Sequence, residues 1–90
     1  ITNFPRAWDI ARGDGNTRVA VIDSEFDTEH LELKPKLLTG RNFDSGTAAY
    51  GTSSVRATAQ DLGTLHGTHV AGLVAAVSDN ANGVTGACFD

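Results

Sequence analysis

The 90-residue chain carries one cysteine, two prolines, one tryptophan, one tyrosine and no methionine. With Cys88 alone, an internal disulfide framework is excluded. That residue is expected as a small buried hydrophobe rather than a link to another chain. Basic residues are scarce: seven Lys and Arg face eleven Asp and Glu, a net charge of −4. A nucleic-acid or anionic-membrane partner asks for the opposite balance, so both are excluded as expectations. No apolar run approaches the roughly 18–20 residues that span a bilayer. Internal repeats and low-complexity tracts are also missing. What remains is ordinary globular composition, 40% hydrophobic and 20% charged, enough for one small domain with a modest core. The first residue is Ile1 rather than Met, and the chain is read as an excised or processed piece of something larger.

Residues 1–16 are mixed and polar, broken by Pro5, Gly13 and Gly15. Trp8 and Ile10 suit one face of a short helix ending near Gly13. Arg18-Val19-Ala20-Val21-Ile22-Asp23 is the clearest strand. Its apolar run is continuous rather than alternating, which fits a parallel strand buried on both faces. Residues 24–32 are polar and acidic, a loop. Residues 37–43 read as a weaker second strand, and 44–65, rich in Gly, Ser and Thr, as a long surface loop. Over 68–77 the period becomes helical, with Val70, Leu73, Val74 and Val77 on one apolar face. Residues 83–88 read as a third strand. Strand, strand, helix, strand is the order of an α/β domain with a crossover onto a parallel sheet.

Two places carry chemistry. Asp23 ends the apolar strand, and the carboxyl ends of strands in open α/β sheets are where ligands and reacting groups gather. A turn-forming aspartate explains the position equally well. His66-Gly67-Thr68-His69 opens the helix. The positive end of a helix favours neutral imidazole, the form a general base needs. A carboxylate that accepts from one ring nitrogen fixes the tautomer and leaves the other nitrogen free to take a proton. Asp23 is placed to do this for His66 if strand end and helix start meet. His-x-x-His also suits a metal, but no third ligand has helical spacing.

Taken together, Val19-Ala20-Val21-Ile22-Asp23-Ser24 and, 43 residues after Asp23, His66-Gly67-Thr68-His69-Val70-Ala71-Gly72 closely resemble the subtilisin-like serine proteases, or subtilases. Ala7-Trp8-Asp9 and Asn82-Gly83-Val84-Thr85-Gly86 extend the resemblance over nearly the whole chain, most weakly in 44–62. It implies that residues 1–90 are the N-terminal segment of a subtilase catalytic domain. The fold implied is an α/β domain whose parallel sheet has helices on both faces, incomplete in this chain. The resemblance also makes Asp23 and His66 two members of an Asp-His-Ser triad. His69 then supports the site without acting as base. Subtilases order their triad Asp, His, Ser with the serine far downstream, so the resemblance implies that the serine lies on a companion polypeptide carrying the rest of the domain; Gly51-Thr52-Ser53, which precedes His66 and is followed by no obvious helix, is read as part of a flexible loop. Two positions depart from the family: Glu25, where glycine is usual, and Leu31, where proline is common.

Subtilases often bind calcium between the loop after the catalytic helix and an acidic residue following the catalytic aspartate. The matching residues are Glu32, Asp79, Asn80 and Asn82, and oxygen-rich loops suit that ion. A solvated turn explains the same residues. The function implied is a serine endopeptidase acting on peptide or protein substrates once assembled, this chain alone being inactive. The alternative is a non-catalytic pseudoprotease or a structural fragment of a subtilase. A flavodoxin-like receiver with Asp23 as phospho-acceptor would need an earlier strand and a downstream lysine, and has neither. Family habit implies secretion. With one strong amphipathic helix for several apolar strands, the isolated chain is expected to be unfolded or to aggregate.

Overall fold

The computed structural model describes residues 3–43 and 65–89. The elements are α1 (Phe4–Trp8), a 3-10 turn (Lys34–Lys36) and α2 (His66–Ala75). Pro5 sits in the first turn of α1, where its missing N–H costs nothing and its fixed φ favours the helix. The helix stops at Trp8, short of the expected Gly13, and leaves Ile10 outside it and exposed.

α2 begins two residues before the periodicity predicts and ends two residues earlier. Ala76 turns extended, with φ −54° and ψ 143°, and stops the helix. The expected apolar face is not the buried one. Gly67 and Ala71, one turn apart, face inward, while Leu73 is exposed. Small residues win because the chain approaches this side of α2 too closely for a large side chain.

Three strands were expected, and among the described residues none forms a ladder; only single-residue bridges occur, at Phe26 and Arg41. Residues 18–23 carry the β-branched run but not the burial. Val19 and Ile22 are exposed, Ile22 to 95%. Periodicity reports the preference of a segment for a pleated, covered surface, and that preference is met only where neighbours supply the cover. Residues 83–88, the expected third strand, bind a helix end instead. The amides of Gly86, Ala87 and Cys88 donate to the carbonyls of Ala76 (3.3 Å), Leu73 (2.8 Å) and Val74 (3.0 Å). Those carbonyls have no partner inside the helix, so the segment caps it. Gly86 permits this: a Cβ there would stand 2.5 Å from the Ala76 nitrogen.

The two ends of the described chain meet. Trp8 Nε1 donates to the Ala87 carbonyl at 2.9 Å, and its ring packs edge-on against Phe89. The Arg12 guanidinium lies 4.1 Å above the Phe89 ring. Cys88 is free and half-buried, its Sγ against the Arg12 carbonyl at 3.8 Å. Among the described residues the buried hydrophobic ones are Leu33, Ala71 and Ala76. No helix among the described residues is long and apolar enough to cross a membrane.

Candidate active site

The site is built where residues 23–27 run across the first turn of α2. His66 is the first residue of that helix, and Asp23 follows the apolar run 19–22. The Asp23 carboxylate meets His66 Nδ1 with Oδ1 at 2.8 Å and Oδ2 at 2.9 Å. An ionised carboxylate only accepts, so Nδ1 carries the proton and donates it to the pair of oxygens. In neutral imidazole this leaves Nε2 as the acceptor. The His66 side chain is 73% exposed, while that of Asp23 is 14% exposed. Both residues are exposed overall, and the imidazole is open to an incoming group.

Ser24 completes the carboxylate's shell. Its amide donates to Asp23 Oδ1 at 2.7 Å and its hydroxyl to the same oxygen at 3.2 Å. The His66 hydrogen bond foremost, then the Ser24 amide, holds the Asp23 carboxyl below its ordinary value of 3.8. A depressed pKa means that the native state favours the ionised form. The stabilisation is fully present above pH 3.8 and is lost as the pH falls below it, through the folded value. The gap in thermal midpoint between the protein and its Asp23→Asn variant should therefore be widest above pH 3.8 and close as the pH drops further. Thermal unfolding of both proteins across pH 2.5–7 measures it; a gap independent of pH contradicts the ionised pair.

The next two helical residues fasten the same segment. At Gly67 a Cβ would stand 2.6 Å from the Ser24 carbonyl oxygen, 2.9 Å from the Phe26 ring and 3.0 Å from the Glu25 carbonyl oxygen. Only glycine lets the segment lie this close. Thr68 Oγ1 accepts the Asp27 amide at 2.8 Å. Ser24, Gly67 and Thr68 lie inside the two motifs, yet sequence reasoning assigned them no part. Their signal is adjacency: each neighbours Asp23 or His66, and small or hydroxyl side chains suit close backbone approach.

His69 lies away from the Asp23–His66 pair. With His30, Leu73 and Val84 it lines a largely apolar cleft of about 320 Å³. Gly51-Thr52-Ser53 falls outside the described residues. Of the four residues implied for calcium, the structure joins Glu32 and Asn80. Glu32 is 4% exposed, and both its oxygens receive the Asn80 side-chain amide at 3.3 Å. Asn80 Oδ1 accepts the Asn82 amide at 3.1 Å. Asp79 is exposed, and Asp79 and Ala81 both take left-handed backbone, with φ 57° and 56°. Among the described residues no three His, Cys, Asp or Glu side chains converge as a metal cluster. Glu32 thus faces the Asn80 NH2 group, and the Asn80 oxygen is held by the Asn82 amide.

The sequence profile described as the Subtilase family matches residues 14–90. Thermitase of Thermoactinomyces vulgaris is 37% identical over 82 residues, which cover 91% of this chain and 25% of that protein. An intracellular serine protease of Paenibacillus polymyxa is 40% identical, covering 91% of this chain and 23% of that protein. An extracellular protease of Xanthomonas campestris is 38% identical, covering 97% and 18%. The chain thus spans about a quarter or less of the length of these relatives. Their names place them on both sides of the cell envelope, so family habit does not settle location. No solved structure matches significantly. With two motifs in order, a match over residues 14–90 and several relatives above 35% identity, the chain belongs to the subtilase family and to its α/β fold class.

Proposed function

We propose that this chain supplies the aspartate and histidine of a serine endopeptidase, the nucleophilic serine coming from protein outside residues 1–90. The observation that carries the reading is the doubly accepted His66 Nδ1–H, with Nε2 left open on the exposed side. His66 Nε2 takes the serine hydroxyl proton as Oγ attacks the substrate carbonyl carbon. The imidazolium formed is stabilised by ionised Asp23, which keeps its own charge. His66 then gives the proton to the leaving amine, and the acyl-enzyme is released by water activated in the same way. The substrate class is a peptide or protein.

A serine-directed fluorophosphonate probe, read by intact mass and peptide mapping on the purified protein, tests the reading. Label is expected on a serine outside residues 1–90. Label on Ser53 overturns the assignment of the nucleophile. A protein with the remainder of the domain present and no label at all supports the pseudoprotease reading instead.

Calcium is proposed at Glu32 with Asn80, joined by oxygens of the 79–82 loop. Glu32 offers a buried carboxylate, the Asn80 side chain would turn its oxygen toward the ion in place of the NH2 group that now meets Glu32, and left-handed backbone at Asp79 and Ala81 gives the curvature such loops use. The ion would fasten the loop after α2 to the 30–33 turn, which the Val77 amide already reaches through the Glu32 carbonyl at 2.9 Å. It takes no part in the chemistry. Calcium at a hundred times its dissociation constant should stabilise by about 2.7 kcal/mol. Thermal midpoints with calcium and with chelator measure this. The difference should vanish in Glu32→Gln; an equal difference in that variant rejects the site.

A further inference from the structure

Residues 23–27 touch the first turn of α2 at three successive points. Asp23 meets His66, the Ser24 and Glu25 carbonyls crowd Gly67, and the Asp27 amide donates to Thr68 Oγ1. The first contact is the proposed catalytic pair, and the second is a close backbone approach that leaves no room for a side chain at Gly67. Apart from the catalytic pair itself, the third is the hydrogen bond that fastens this segment to α2 among the described residues. It also closes the segment at its far end, because Asp27 begins the next turn: its side chain accepts the Glu29 amide at 3.1 Å and its carbonyl accepts the His30 amide at 3.1 Å. Without Thr68 Oγ1, the hydrogen bond that remains between the strip bearing Asp23 and α2, among the described residues, is the catalytic one.

The geometry points to Thr68 as a positioning residue for the Asp23–His66 pair. Its hydroxyl touches neither member. It pins Asp27, and with Gly67 as a stop it sets how far Asp23 stands from Nδ1. Thr68 is the third residue of α2. Here it receives a long-range partner 41 residues away in sequence. The methyl group alone would leave the Asp27 N–H with no acceptor in a partly buried place.

The inference rests on the protease reading, and its test separates the two. In the whole protease that carries this chain, Thr68→Val keeps the shape and removes the acceptor, while Thr68→Ser keeps the acceptor. Misplacing a catalytic pair by a fraction of an ångström lowers turnover by about tenfold or more. Thr68→Val should lower kcat by about tenfold with KM changed less than twofold. It should also weaken or broaden the downfield proton resonance of His66 Nδ1–H, and Thr68→Ser should restore both. If Thr68→Val folds poorly, Thr68→Ala provides the same two readouts. Loss of thermal stability with unchanged kcat and an unchanged resonance means that the threonine is merely structural, and overturns the inference. Full activity in Asp23→Asn removes the protease reading itself; collapse of Asp23→Asn beside a normal Thr68→Val removes only the role of Thr68.

Discussion

Asp23→Asn is expected to lower turnover of the assembled protease by about four orders of magnitude while leaving substrate binding nearly unchanged. The amide is the same shape as the carboxylate, so packing is preserved. Its NH2 group, however, turned toward His66, needs an acceptor. Imidazole then presents a bare Nδ1 and carries its proton on Nε2, the atom that must take the serine proton. Both Asp23 oxygens lie within 2.9 Å of Nδ1, so neither orientation of the amide avoids this competition. Ser24 aggravates it, because its amide already commits Asp23 Oδ1 as an acceptor. Steady-state kinetics on a peptide substrate measure the effect. Turnover within tenfold of the parent contradicts the assignment of Asp23.

Gly67→Ala is the second large effect. The added methyl would meet two backbone carbonyl oxygens at 2.6 and 3.0 Å and the Phe26 ring at 2.9 Å. A flexible side chain could move aside; a backbone carbonyl moves only with its segment. The segment in question carries Asp23. Relief therefore means lifting residues 24–27 off α2, which lengthens the Asp23–His66 contact and breaks Thr68 from Asp27. Overpacking of this kind costs about 1–3 kcal/mol, and an ångström of misplacement costs about a hundredfold in rate. Gly72→Ala in the same helix is the control. A Cβ there has nothing within 4 Å, so only the helix preference changes, a gain of roughly 0.5–1 kcal/mol. Thermal melts and kinetics on the two variants should move in opposite directions in stability. Equal behaviour contradicts the close approach at Gly67.

The candidate site was more legible in the sequence than the fold. Asp23 and His66 stand out because each has an unusual setting, a carboxylate after an apolar run and a histidine opening a helix. Two rare placements whose pairing makes chemical sense constrain one another. Ser24, Gly67 and Thr68 were hidden because their work lies in backbone approach, which side-chain chemistry does not announce. The α2 helix was found by its period, but its inward face was misread. Val70, Leu73, Val74 and Val77 predicted the side a large core would cover, whereas the nearby segments cover Gly67 and Ala71. The hydrophobic pattern predicts strands over 18–23, 37–43 and 83–88. A strand needs partners in register, and hydrophobic pattern alone does not create them. Residues 83–88 show the competition directly: the unpaired carbonyls at the end of α2 take the hydrogen bonds that a ladder would have used.

The central claim is that His66 acts as the base that activates a serine, and the most direct measurement is the rate of fluorophosphonate labelling in the parent and in His66→Ala. The imidazole is 73% exposed, so its removal leaves little cavity and the fold is expected to persist. Labelling should slow by at least about a thousandfold in the variant, as loss of a triad member requires. Labelling at an unchanged rate would contradict the account.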